Sequence, residues 1–430
     1  MQSVLYLFLI LWVQYEVIKS KFKTSRIILL FSFLIFYFLT IEYVADTSTD
    51  IIPNICIFYL IAKFSLYPQY IQEKNLFVFI IPIILITFKV SIIPFSLISI
   101  FIFLCLYKKK DYVSILFLLS IPFSVVGIWL VRNVIISGYL IYPFPYLDIF
   151  SFDWKIPKGI AILQQNYILD YAKGLLIDCL RFGFFQRGGS IITFKLFFVN
   201  NVILVSSYFI IAISTIYVFY NNFINKKYLG KAPFTLYLAS LLTFIYWIVS
   251  APDYRFNTGC ICGLFFWNIS YIVLSVKKKD IMLHTFGKAV CLFSILIFLT
   301  LSAARSKNYY NMISSEYLSD QEYSIEMIFT KPFSAKYQKR IKDIEDGFLE
   351  YKLNKTTIYL TKDKYGRGLD KLPSTIDISP QLIQENGKLQ NIKTVETRGN
   401  SLDFGFRTKN NYIDSINIEA DKRIKLKHIK

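Results

Sequence analysis

Long apolar runs broken by short charged stretches dominate the first three hundred residues, and each run predicts a helix rather than a strand because it is too long for one. Val4 to Ile18 is the first, closed by Lys19, Lys21, Lys23 and Arg26. Ile27 to Val44 returns the chain to a short loop, Ala45 to Asp50, with acidic but no basic residues. Ile51 to Leu66 follows, ending near Lys63 and Lys74. Leu76 to Phe88 and Ile92 to Tyr107 are each short for a full crossing and are read as a tight hairpin with Lys89 at its tip; one long kinked segment is the alternative. Tyr112 to Val131 then delivers Arg132 to the face that carries Asp50. Beyond a segment of mixed polarity, Phe197 to Tyr220, Pro233 to Val249, Gly259 to Val276 and Lys288 to Leu301 complete about ten predicted crossings.

Lysines and arginines sort these runs into a topology. Lys108 to Lys110, Lys226, Lys227, Lys231 and Lys277 to Lys279 all fall in loops on the side of Lys19 to Arg26, which marks that side as cytoplasmic. The amino terminus is then outside. The first run has its positive charges after it, not before it, so no cleaved signal peptide is predicted. Between the crossings, Trp129 to Pro157 is aromatic and interrupted by Pro143, Pro145 and Pro157, the composition of an outer loop lying on a bilayer. Ala161 to Cys179 has the pattern of an interfacial helix, and Gly188 and Gly189 of a turn. Residues 302–430 are polar. Alternation at Thr356 to Leu360 and Ser415 to Ile418, with turn residues Gly366, Gly368, Pro373 and Gly387, predicts strands there. The expected fold is an all-α polytopic membrane bundle, residues 1–301 with an outer loop at 132–196, followed by a small mixed α/β extracytoplasmic region.

Composition agrees. The 430 residues are 55% hydrophobic and 18% aromatic, with mean hydropathy +0.47, which excludes an ordinary soluble core. A net charge of +19 suggests nucleic acid in a soluble protein, but here many of the cations set topology, so no nucleic-acid partner is expected. Two histidines and six scattered cysteines give neither a metal-site pattern nor a disulfide framework, and they argue against a Ser-His-Asp hydrolase. No metal site or other cofactor is predicted, and a need for a divalent ion is left open.

Charges at a membrane face are the first candidates for chemistry, because they are costly unless paired or hydrated. Asp50, Lys89, Arg132, Asp148, Asp153, Asp253 and Arg255 all map to the outer face. Cations in a partly dry site suit a phosphate or pyrophosphate, and a nearby carboxylate could take a proton from an attacking hydroxyl. Each residue also has a plain structural reading. Lys89 and Arg132 end apolar runs and can snorkel, Asp253 and Arg255 can brace one another across Tyr254, and Asp153 can cap a turn beside Trp154 and Lys155. Trp129, Trp154, Tyr139 and Tyr142 can be interface anchors.

Several segments resemble a family of bacterial polytopic membrane proteins linked with cell-surface polysaccharide synthesis and similar to the GT-C class of lipid-linked glycosyltransferases. They are TSTDIIP (Thr47 to Pro53), FKVS (Phe88 to Ser91), RNVIISGYLIYPFP (Arg132 to Pro145), FDWKIP (Phe152 to Pro157), APDYRFNTG (Ala251 to Gly259) and TRGNSLDFGFR (Thr397 to Arg407). The resemblance implies an inner-membrane glycosyltransferase or polymerase with an extracytoplasmic site for a polyprenyl-phosphate-linked sugar, surrounded by membrane lipids and working with other envelope polysaccharide assembly proteins. It implies Asp50 and Asp253 as catalytic carboxylates, and Lys89, Arg132, Asn133, Ser137, Tyr139, Asp153, Trp154, Lys155 and Arg255 as substrate-binding residues. That family has more helices before its TSTDIIP-like segment, so the chain is expected to be truncated at its amino terminus, and its activity alone is left open. A flippase for the same lipid-linked sugar and a noncatalytic scaffold subunit are the rival expectations.

Overall fold

The computed structural model describes residues 2–40, 50–72, 76–166, 207–224, 230–250 and 253–277, with short stretches at 292, 296, 348–353, 356–361, 374–375, 395–397, 406–408, 413 and 417–418. The helices are α1 (Gln2–Lys19), α2 (Thr24–Thr40), α3 (Ile51–Leu66), the single turn α4 (Gln69–Gln72), α5 (Leu76–Phe88), α6 (Leu97–Lys108) and α7 (Tyr112–Ser137). After them come α8 (Ser207–Ile224), α9 (Lys231–Ser250) and α10 (Thr258–Lys277). Among the described residues four spans are long and apolar enough to cross a membrane: Val90–Lys108, Tyr112–Ser137, Ser207–Ile224 and Lys231–Ser250. Thr24–Thr40, Ile51–Leu66, Val78–Phe88 and Thr258–Leu274 are shorter apolar helices. The chain is therefore a helical membrane protein. Of the expected last crossing, Lys288 to Leu301, only residues 292 and 296 are described, both helical. Ala45 to Thr49, Lys74, Lys226, Lys227, Gly188, Gly189 and most of Ala161 to Cys179 lie outside the described residues.

The chain forms two compact units, Met1–Trp129 with Ile168–Ser302, and Leu130–Tyr167 with Ala303–Lys430. In the first, α3 and α10 lie between two apolar clusters. One side is filled by α1 and α2 through Val13, Leu30, Phe33 and Phe36, which meet Phe58 and Phe266. On the other, Phe79, Phe95, Ile98, Tyr237 and Trp247 pack on Ile61, Leu264 and Trp267. Cys260 belongs to the second cluster and Cys262 to the first, so residues two apart on a helix face opposite layers. A helix covered on both sides has to be apolar nearly all round, which is the pattern of α3.

α10 comes so close to α3 because of two glycines four residues apart. A Cβ on Gly259 would lie 2.0 Å from the carbonyl oxygen of Asn54, and one on Gly263 would lie 2.8 Å from Cδ1 of Ile61. Small residues at this spacing are how membrane helices reach backbone contact. α5 and α6 form the expected hairpin. Ser99 Oγ donates to the carbonyl of Phe79 at 2.7 Å, joining positions equally far before and after Lys89. Lys89 itself is extended (φ −154°, ψ 114°), and the chain restarts in a tight helical turn, Val90–Ser96, before α6.

Two basic turns end their helices alike. Phe22 N bonds Val17 O while Lys21 N bonds Ile18 O, and Asp111 N bonds Leu106 O while Lys110 N bonds Tyr107 O. Both are Schellman closures, with Lys21 (φ 55°) and Lys110 (φ 55°) in the left-handed position that glycine usually fills. Lysine keeps a cation beside the negative helix end and in water. Lys21→Gly is expected to raise stability by about 0.5 kcal/mol, the relief of left-handed strain less the lost charge–dipole interaction. Thermal unfolding in micelles measures it, and a lower midpoint would contradict the strain argument.

In the second unit, β1 (Phe348–Leu353) pairs antiparallel with β2 (Thr356–Thr361), and β2 pairs in parallel with β3 (Ser374–Thr375). β4 (Val395–Thr397) pairs antiparallel with β5 (Phe406–Thr408). The alternation at Thr356 to Leu360 coincides with β2. Of the alternation at Ser415 to Ile418, Asn417 and Ile418 are described and are helical rather than extended, since so short a stretch fits either period.

Candidate functional site

Three segments of the first unit, distant in sequence, bring charges together. Asp50 is the residue before α3 and its side chain makes no capping hydrogen bond there. Its Oδ1 instead accepts from Lys89 Nζ at 2.6 Å. After α9 the chain turns at Asp253–Phe256. Asp253 Oδ1 accepts from Arg255 N at 3.0 Å, and Oδ2 accepts from Arg255 Nε at 2.8 Å, with a second guanidinium nitrogen 2.7 Å away. Phe256 joins the pairs: Lys89 Nζ is 3.3 Å from its ring centroid and the Arg255 guanidinium carbon 5.5 Å. Both distances are within cation–π range.

Asn54 holds the assembly in register. Its Nδ2 donates to the carbonyls of Asp50 (2.9 Å) and Arg255 (2.6 Å), and its Oδ1 accepts from Gly259 N at 2.9 Å. One buried amide thus ties the start of α3 to the Arg255 turn and the start of α10. Trp247 Nε1 fixes the other side of the turn by donating to the carbonyl of Asp253 at 2.8 Å.

The two carboxylates differ in access. The Asp253 side chain has 0% exposure and both its oxygens are taken by Arg255, whereas Asp50 keeps 19%. Geometry therefore favours the bracing reading of Asp253, and it leaves Asp50 as the carboxylate a ligand can reach. Burial lowers the Lys89 ammonium to about 8, with the Asp50 charge opposing that shift. Phosphate binding that relies on this ammonium is expected to be full below about pH 8 and to weaken as pH rises through it, because the anion selects the protonated form. Titration of binding against pH checks this, and a flat profile from pH 7 to about 9 would exclude Lys89 as the anion's partner.

The other sequence-predicted residues belong to the second unit, where most of their polar atoms build a loop on the end of α7. Gly138 (φ +79°) closes the helix, its N donating to the carbonyl of Val134 at 2.8 Å. A Cβ there would lie 2.9 Å from the Lys155 Cα, so FDWKIP lies directly on the glycine. Asn133 Nδ2 donates to Leu140 O at 3.0 Å, Ser137 Oγ to Asn133 O at 2.7 Å, and Tyr139 OH to Ile156 O at 2.9 Å. Trp154 stacks on Phe152 with centroids 4.3 Å apart. Lys155 Nζ pairs with Asp148, donates to Phe150 O at 2.5 Å and sits 4.7 Å from the Tyr139 ring centroid. Asp153 occupies an exposed turn, and Arg132 is exposed on α7. The sequence-predicted set thus divides in two, with Asp50, Lys89, Asp253 and Arg255 together in the first unit.

Asn54, Phe256 and Gly259 complete the first cluster and were not singled out from the sequence. Two of them carried a readable signal: an amide inside an apolar run, and a glycine pair four apart at the head of an apolar helix. Phe256 carried none among so many aromatics. Among the described residues no group of three or more His, Cys, Asp or Glu side chains is placed to hold a metal ion.

Comparison with known proteins adds a family. No curated protein matches the chain, and no solved structure does. A family model described as a domain of unknown function, DUF8201, matches residues 1–262, a stretch that contains Asp50, Asn54, Lys89, Asp253, Arg255 and Gly259. The chain belongs to the DUF8201 family.

Proposed function

We propose that the protein is a multi-pass membrane glycosyltransferase or polymerase of cell-surface polysaccharide assembly, acting on a polyprenyl-phosphate-linked sugar. About ten crossings, an extracytoplasmic mixed α/β region and an inner-membrane location belong to the same reading. Its main support is the convergence of the Lys89–Asp50 and Arg255–Asp253 pairs on Phe256 at the head of α3 and α10.

In this reading the phosphate of the donor takes the place of Asp50 on Lys89, and Arg255, held in position by Asp253, contacts a second oxygen. Asp50 is then released to accept a proton. The acceptor hydroxyl attacks the anomeric carbon, the bond from that carbon to the phosphate oxygen breaks, the hydroxyl proton passes to Asp50, and the phosphate leaves with its charge held by the two cations.

Incubation of the purified chain with a radiolabelled polyprenyl donor and a glycan acceptor tests the proposal. Asp50→Asn is expected to bind donor at least as well as wild type and to lower transfer by a factor of about 100 or more. Lys89→Gln is expected to lose donor binding. Wild-type protein that moves the labelled lipid between leaflets without forming a glycosidic bond would instead establish the flippase reading, which buried Asn268 and Asn222 favour as polar side chains within apolar helices. Donor that neither binds, reacts nor crosses would leave the scaffold reading.

A further inference from the structure

A second polar assembly lies at the far end of α3, sixteen residues from Asp50 and so about 24 Å along the helix. It is built from the end of α1, the start of α2 and the end of α3, each supplying a cation placed on a tyrosine ring. Lys19 Nζ is 5.2 Å from the Tyr15 centroid, the Arg26 guanidinium carbon 5.5 Å from that of Tyr67, and Lys63 Nζ 5.0 Å from that of Tyr59. Lys63 Nζ also donates to Tyr59 OH at 2.7 Å. Tyr67 OH donates to Glu16 Oε2 at 2.6 Å, tying α3 to α1, and Trp12 meets Tyr59 edge-on at 4.8 Å. Arg26 and Lys63 are therefore positioned by partly buried aromatics tied to α1, while Lys19 rests on the exposed ring of Tyr15.

Charge balance makes this end receptive to an anion. Among the described residues Lys19, Lys21, Lys23, Arg26 and Lys63 share this end with one carboxylate, Glu16, which is 6% exposed and bonded to Tyr67. Among the described residues no carboxylate forms an ion pair with Lys19, Lys21, Lys23 or Lys63. The approach to the site is apolar: Leu11, Tyr15 and Ile18 are 55%, 56% and 61% exposed along α1 and lead to Lys19. A ligand that fits both features has an anionic head and hydrocarbon chains.

We propose that this end of α1, α2 and α3 binds the headgroup of an acidic phospholipid, its phosphate held by Lys19, Lys63 and Arg26 and its chains lying on the exposed face of α1. The lipid is a structural ligand of the bundle, separate from any substrate at Lys89. Basic residues beside a membrane helix attract anionic lipid, and the tyrosine rings add position to that attraction.

Native mass spectrometry of the full chain in neutral detergent, titrated with phosphatidylglycerol and with phosphatidylcholine, tests it. Wild type is expected to retain phosphatidylglycerol about tenfold more tightly than phosphatidylcholine, and K19Q/K63Q to lose most of that preference. K108Q/K109Q, which removes the same charge from the end of α6, is expected to keep it. No preference in wild type, or an equal loss in the two double variants, would overturn the site. Displacement of bound phosphatidylglycerol by an equal concentration of glycerol 3-phosphate would overturn the lipid assignment in favour of a soluble phosphate. If K19Q/K63Q does not fold, K63Q alone must lower the ratio about threefold, and an unchanged ratio refutes the proposal.

Discussion

Gly259→Val is expected to destabilise the bundle by about 3 kcal/mol or more, which lowers the unfolding midpoint by about 5 °C. The added Cβ would lie 2.0 Å from the Asn54 carbonyl oxygen and 2.7 Å from its carbonyl carbon, both backbone atoms that cannot rotate aside. Relief requires α3 and α10 to separate. Separation breaks the Asn54 Oδ1 to Gly259 N bond and opens the contacts of Phe58 and Phe266 across the same interface. Gly263→Ala supplies the contrast, since its Cβ would meet Cδ1, Cβ and Cγ2 of Ile61 at 2.8, 3.0 and 3.1 Å, so a small shift of one side chain relieves most of the contact and no backbone atom is among the three. Its expected cost is below about 1.5 kcal/mol. Thermal unfolding of the two variants in one detergent checks both numbers, and equal midpoints would mean that backbone contact at Gly259 does not control the packing.

Asp253→Ala is expected to cost about 3 kcal/mol, the low end for breaking a buried ion pair, because Arg255 keeps 29% of its side chain exposed and can turn toward water. The loss includes the bonds to Arg255 N and Nε. D253A/R255L should be less damaging than D253A, since removing both charges leaves no uncompensated guanidinium. A double variant worse than the single one would show that Arg255 is stabilised by groups other than Asp253. Under the proposed function D253A also lowers donor affinity, because the aspartate sets the direction of the guanidinium. Asp50→Asn, by contrast, affects transfer more than stability.

The residues differ in how much they disclosed. Apolar runs with basic breaks were enough to place α1 to α3, the α5–α6 hairpin, α7, α9 and α10, because length and hydropathy alone decide whether a segment prefers a bilayer. Lys89 as the tip of a hairpin was readable for the same reason: a charge between two short apolar runs is carried to an end. Asp50, Lys89, Asp253 and Arg255 stood out by the cost of a charge at a membrane face. Roles did not follow from that. Asp50 and Asp253 are the same residue type beside similar apolar runs, and only burial distinguishes the one that is closed around Arg255 from the one left partly open. The motif around Arg132 pointed to ligand contacts, yet the polar atoms of Asn133, Ser137 and Tyr139 are engaged in closing the loop on α7.

By itself, the sequence determined that this is a helical membrane protein, which apolar runs form its main helices, and which charged residues are costly enough to need partners; it did not place the end of α7, which runs past the expected Val131 to Ser137. These are properties of a segment and the solvent it meets. The tertiary structure alone decided which partners they have: Asn54 bonded to Gly259, Phe256 beneath Lys89 and Arg255, and a tyrosine under each of Lys19, Arg26 and Lys63 at the other end of α3. Such pairings depend on how closely two helices approach, and that distance is fixed by the absence of a side chain at Gly259 together with everything packed around it.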